Sequence, residues 1–232
     1  MESQPQNSGF VIWITGMNGA GKTTLASYLW KRLNAVGRAA ELLDGEDPAQ
    51  ILTSGLGNAK EDRDTAVRRI GYVAKLLARN GAIAVCASLS PHREPREQLK
   101  RDVRRFVEVF VECDFTTLQE RSGRLRKAMA GEIKNVPGYD DPYEPPVHAD
   151  VVVRSDQERV EAEANRIFQA LVDLKYVGPA EFGRLTGGLK PKREARAARG
   201  GSRKKLAAKA AARKAPKKVA ACSAKPARKT RR

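Results

Sequence analysis

Long apolar runs are missing from this 232-residue sequence. No stretch approaches the roughly 18 residues that a membrane-spanning helix needs, so no transmembrane segment is expected. The opening residues, Met-Glu-Ser-Gln-Pro-Gln-Asn-Ser-Gly, carry neither a basic start nor an apolar stretch, which is not the pattern of a secretory signal. Cysteine is scarce as well. Cys86, Cys113 and Cys222 have no metal-ligand spacing, and an odd number argues against a disulfide framework. Cys86 and Cys113 lie in strand-like runs and read as core residues. These absences predict a protein of the reducing cytoplasm. No internal repeat is visible.

Acid is missing from one region only. Residues 189–232 hold 18 of the 44 Lys and Arg residues and one of the 27 acids, Glu194, while 1–188 hold 26 of each sign. The net charge of +17 therefore belongs to a tail attached to a neutral body. That tail has no aromatic residue, and Leu189, Leu206 and Val219 are its only large aliphatics. It cannot close a core, and its like charges repel, so disorder is expected. Its Lys/Arg residues interleaved with Ala and Pro resemble linker-histone-like tails, which bind the phosphate backbone of DNA or RNA without reading bases. The lack of aromatics argues against a stacking platform for single strands. A solvated tail and weak adhesion to anionic lipid stay open as alternatives.

The most informative stretch is Phe10 to Thr24. Phe10 to Thr15 reads as a buried parallel strand, Gly16 to Thr23 matches G-x-x-x-x-G-K-[ST], and Thr24 to Leu33 reads as a helix. Backbone N–H groups surround a phosphate only where no side chain obstructs them, and a helix N-terminus adds a favourable dipole. The phosphates of a nucleotide are thus expected on this loop. Lys22 supplies positive charge to the β- and γ-phosphates, and the Thr23 hydroxyl is placed to ligate Mg²⁺.

Further strands are expected at 39–43, 82–87, 106–113 and 151–153, alternating with helices at 60–80, 96–105, 116–126 and 158–174. Five strands in that alternation predict an α/β fold, a doubly wound parallel sheet of the P-loop nucleoside triphosphate hydrolase/kinase type. The second strand ends in Asp44-Gly45-Glu46-Asp47, at the carboxyl edge where such folds place their chemistry. The third ends without an acid, so the Mg²⁺-directed or hydroxyl-orienting role falls to Asp44 or Glu46. Arg121 to Lys134 clusters basic residues with Gly123 and Gly131, as either a mobile arm closing over phosphates or a solvated helix face would. Tyr139 to Pro146 is too proline-rich to be helix or central strand and reads as a stiff extended loop.

From about Gly9 to Val177 these motifs resemble the adenylylsulfate (APS) kinase family. The resemblance rests on Trp-Ile-Thr-Gly-x-x-Gly-Ala-Gly-Lys-Thr-Thr (13–24), Leu-Asp-Gly (43–45), Ser-Pro-His-Arg (90–93), Ala-Gly-Glu-Ile-Lys (130–134) and Asp-Asp-Pro-Tyr-Glu-Pro-Pro (140–146). It implies ATP-dependent phosphorylation of the 3′-hydroxyl of APS. It also implies that ATP binds Gly16, Met17, Asn18, Gly19, Ala20, Gly21, Lys22, Thr23 and Thr24, that Arg63 contacts the acceptor side, that Lys127 to Lys134 form a lid, and that Ser90 matches a serine described as phosphorylated in the family. A plainer role for Ser90 is capping the helix after Pro91. Departures from the family pattern fall on the acceptor side: Ala49 and Met129 stand where arginines are expected, Asn58 where an aromatic is, and Ala66 where an asparagine is.

The expected layout is a disordered N-terminus (1–8), a P-loop domain (9–178), a linker (179–188) and the basic tail (189–232). Two alternatives remain beside APS phosphorylation: a kinase of the same fold with a changed acceptor, and a nucleic-acid-binding protein with a vestigial kinase body. The expected partners are a small nucleotide such as APS, DNA or RNA held by the tail, and a second copy of the chain in a homodimer.

Overall fold

Three strands are apolar almost throughout because both of their faces are covered. β1 (Val11–Thr15) and β3 (Ile83–Ala87) are buried at every position, and β4 (Phe106–Glu112) is buried except at Phe110 and Glu112. β2 (Ala40–Leu43) and β5 (Val151–Arg154) expose part of their length, as edge strands do. The strands form one parallel sheet in the order β2-β3-β1-β4-β5. β1 lies at the centre, with Val11 opposite both Ala84 and Phe106. The computed structural model describes residues 9–44 and 51–187. The expected disordered N-terminus, the segment 45–50 with Glu46 and Ala49, and the basic tail lie outside the described residues.

Alternation along β1 sorts the core into two layers. Phe10, Ile12 and Ile14 pack on one face with Leu25, Leu29 and Leu33 of α1 (Lys22–Ala35) and Ile167, Phe168 and Leu171 of α6 (Val160–Asp173). Val11 and Trp13 pack on the other with Val67, Ile70 and Ala74 of α2 (Lys60–Arg79) and Leu99 of α3 (Arg93–Asp102). At Gly71 the two helices of that layer approach closely. A Cβ there would lie 2.1 Å from a Leu99 methyl carbon.

Two expectations change. The single helix expected over 116–126 is two, α4 (Phe115–Arg121) and α5 (Gly123–Met129). Ser122 leaves the helical region and its hydroxyl caps the second helix, accepting from the Leu125 N–H at 3.1 Å. The expected linker also contains a helix, α7 (Pro179–Thr186), opened by Pro179 in its first turn. α7 belongs to the body: Leu185 is fully buried, its carbonyl oxygen accepts from Arg32 Nε at 2.6 Å, and Glu181 pairs with the buried Arg38 at 3.2 Å. Among the described residues, no helix is long and apolar enough to cross a membrane.

Candidate active site

The loop between β1 and α1 is built to receive an anion. Gly16, Gly19 and Gly21 all have positive φ, and a Cβ on Gly16 would come within 2.6 Å of the Val111 carbonyl oxygen. α1 starts with no side-chain cap and no acid in its first turn. Its first N–H groups and the positive end of its dipole are therefore left for a ligand. Lys22 curls back so that Nζ donates to the Met17 carbonyl oxygen at 2.9 Å. Burial lowers its pKa from 10.5 to about 8, against the opposing pull of the Asp44 carboxylate. Asp44 itself stands just beyond β2, at the carboxyl edge of the sheet.

A cavity of about 580 Å³ opens over this loop. It is lined by Asn18, Gly19, Gly21, Lys22, Thr23 and Thr24 of the loop and first helical turn, and by Arg121, Ser155, Glu158, Val160 and Glu163. Arg121 is fixed across it by donating to the Ser155 carbonyl and hydroxyl oxygens at 3.2–3.3 Å. The break at Ser122 presses on the phosphate loop, since a Cβ on Gly19 would meet Ser122 Cβ at 2.9 Å. The basic arm thus starts in contact with the loop. Further along it Arg124 donates to Asn58 Oδ1 at 2.7 Å, and Lys127 and Lys134 stay exposed.

On the other side of β1 the chemistry is buried and interlocked. Ser90 is 2 % exposed, with an unusual positive φ. Its hydroxyl accepts from Trp13 Nε1 at 3.2 Å and donates to Thr15 Oγ1 at 2.9 Å, and Thr15 in turn meets the Tyr143 hydroxyl at 3.0 Å. Desolvation pushes the Tyr143 phenol up to about 12. The expected capping role of Ser90 is not what forms: α3 begins after His92, and Glu144 Oε2 accepts from the Arg93 N–H at 2.7 Å. Arg96 is 1 % exposed and binds Glu108 at 3.0 Å, the Ser90 and His92 carbonyls, and the Glu144 carbonyl at 2.6 Å. It thereby ties the end of β3 to the acidic, proline-rich loop.

Arg63, expected on the acceptor side, is buried beneath that loop and holds it through the Asp141 carboxylate and the Asn135 carbonyl. The loop reaches back to the donor side at Gly138, where a Cβ would meet Met17 Sδ at 2.5 Å. Four participants were not singled out from the sequence: Arg96, Asp64 in its buried pair with His92 at 2.6 Å, Ser155 as the acceptor for Arg121, and Glu163. Glu163 alone left a signal. It falls at helical spacing with Ile167 and Leu171, an acid on an apolar stripe.

Parallel strands in the order 2-3-1-4-5, with a glycine loop feeding a bare helix N-terminus, define a P-loop kinase fold. The family profile for adenylylsulphate kinase matches residues 8–154. The chain belongs to that family. It is 47% identical over 174 residues to a probable adenylyl-sulfate kinase of Synechocystis sp., covering 74% of this chain and 98% of that one. It is 49% identical over 172 residues to a probable bifunctional SAT/APS kinase of Sorangium cellulosum, covering 73% of this chain but 30% of the longer protein. Among solved structures, the APS kinase of Mycobacterium tuberculosis in complex with AMPPNP and APS superposes with a TM-score of 0.66 at 30% identity, covering 71% of this chain and 98% of that one.

Proposed function

We propose that this chain transfers the γ-phosphoryl group of ATP to the 3′-hydroxyl of adenylyl sulfate, giving PAPS and ADP. The observation that carries the reading is the phosphate loop with its uncapped helix, against which the start of the acidic, proline-rich segment packs at Gly138 and Met17. The acceptor oxygen bonds to the γ-phosphorus as the bond to the β–γ bridging oxygen breaks, and the hydroxyl proton passes to Asp44 or Glu46. Lys22, the loop N–H groups and the basic arm hold the charge that spreads over the γ-oxygens. The exposed Thr23 hydroxyl and the Asp44 carboxylate fit Mg²⁺, a hard cation that keeps most of its waters and needs few protein ligands. Bound there with ATP, it would neutralise phosphate charge. Ser90 serves the site as a buried strut, because its hydroxyl is spent on Trp13 and Thr15.

The test is a coupled ADP-release assay with APS against a panel of other nucleotides and hydroxylated small molecules. Saturable turnover with APS supports the reading, and turnover confined to another acceptor refutes it. A changed acceptor is the second reading, favoured by Asn58 being engaged by Arg124 where the family pattern has an aromatic. The basic tail adds a separate expectation, sequence-independent adhesion to duplex nucleic acid. Anisotropy on full-length protein and on a truncation lacking 189–232 checks it, with affinity falling by a slope of about −0.9 per phosphate neutralised.

A further inference from the structure

Glu163 is an acid in the wrong place for a purely structural role. It is 4 % exposed, and its Oε1 has no hydrogen-bond partner among the described residues. A buried polar atom left in that state costs stability unless something absent from the free protein satisfies it. The two nearest bases are already committed. Arg121 donates to Ser155, and Arg166 to Glu158 at 2.6 Å and to the Val152 carbonyl at 2.9 Å. Glu163 also lines the donor cavity that opens over the phosphate loop.

The same cavity holds a second orphan of opposite character. Asn18 Nδ2 is buried without an acceptor, at the loop end. The cavity thus offers an unmet donor on the phosphate loop and an unmet acceptor on α6. A carboxyl oxygen cannot serve a phosphate, since both are acceptors. It requires a hydrogen-bond donor, and a purine nucleotide seated on the loop brings one in the exocyclic amino group of its base. Val160 and the Arg121 guanidinium, which line the same cavity, provide an apolar and a planar cationic surface for the ring.

We infer that Glu163 is a base-reading residue of the donor site, accepting a hydrogen bond from the 6-amino group of adenine and selecting ATP over 6-oxopurine nucleotides. This rests on the reading of the cavity as the ATP site. Burial, reinforced by the nearby Glu158 charge, raises the Glu163 pKa in the free chain.

The experiment measures binding of ADP, IDP and inorganic tripolyphosphate to the full chain by calorimetry, for wild type, Glu163→Gln and Glu163→Ala. Wild type should prefer ADP to IDP. Glu163→Ala should weaken ADP about tenfold or more and IDP by less than about twofold, and Glu163→Gln, which keeps a carbonyl acceptor, should restore most of the ADP affinity. Tripolyphosphate, which has no base, should bind all three proteins alike. Melting temperatures of the free variants should equal or exceed that of wild type, since the orphaned oxygen is removed or made neutral; a structural acid would show the reverse, and a drop in both variants overturns the inference. Unchanged ADP-to-IDP ratios with tripolyphosphate still bound overturn the role of Glu163 alone. Equal losses for ADP and IDP overturn base reading. Failure of wild type to bind either ADP or tripolyphosphate overturns the donor site, and the assignment of Glu163 with it.

Discussion

Replacing Lys22 by methionine should cripple transfer and make the free protein more stable. In the folded chain the ammonium is held at a pKa of about 8 in place of 10.5, chiefly by desolvation. That gap sets at most ~3 kcal/mol against folding at neutral pH. Allowing for the part of the side chain that solvent still reaches, about 1–2 kcal/mol is the working figure. The sign follows from proton binding. Between pH 8 and 10.5 the unfolded chain holds a proton on Lys22 that the folded chain has released, so wild-type stability from this group rises with pH through that window. Methionine preserves the stem, and the Met17 carbonyl keeps a partner in the Ala20 N–H at 3.1 Å. Scanning calorimetry at pH 7 should therefore show the variant melting about 2–8 °C above wild type. The difference should shrink steadily as pH is raised past 8. In the coupled assay turnover should fall below about a tenth of wild type, because the charge on the γ-oxygens has lost its counter-ion. A variant that melts at or below wild type at pH 7, or a stability gap that ignores pH, refutes the account of a strained, ligand-awaiting lysine.

Three further outcomes are expected. ATP binding should take up protons, close to none at pH 7 and up to about half a proton per site near pH 8; calorimetry in buffers of different ionisation enthalpy reads this directly, and Lys22→Met should abolish it. Arg96→Met should cost about 3–5 kcal/mol in urea unfolding by leaving Glu108 buried and unpaired, and the double change with Glu108→Leu should recover most of the loss. Gly138→Ala, at a φ of 88° and against Met17 Sδ, should cost roughly 1–2 kcal/mol and weaken ATP binding more than a distant change of equal cost, because Met17 also holds Lys22; equal ATP affinity in the variant would contradict this.

The sheet and its main helices were legible to within one to three residues because their signals are local. β1 and β3 are unbroken apolar runs, and Val67, Ile70 and Ala74 repeat at helical spacing. The phosphate loop was legible because its glycines and lysine are contiguous. What escaped the sequence depends on partners far along the chain. Ser90 precedes Pro91 as a capping residue would, yet Glu144, 51 residues beyond Arg93, takes that position. Arg96 sits in a run that reads as a solvated basic helix, and only the arrival of Glu108 and two loops buries it. The helix broken at Ser122 and the short α7 did carry start signals, a Ser-Gly pair and a Gly-Pro pair, in segments too short for periodicity to speak.

The fourfold engagement of Arg96 bears on how the molecule opens as well as on how it stands. The loop from Tyr139 to Pro146 has almost no regular structure, and such a segment ordinarily exchanges its amide hydrogens with solvent quickly. Here the Glu144 N–H donates to the Pro91 carbonyl at 2.8 Å, its carbonyl is gripped by Arg96, and its carboxylate covers the Arg93 N–H. None of these can be released without uncoupling the end of β3. In deuterium exchange the Glu144 and Arg93 amides should therefore behave as part of the central sheet, surviving until that whole unit opens, while the amide of the neighbouring exposed Val147 exchanges early. A wall of the acceptor side that looks like a surface loop would then share the lifetime of the core.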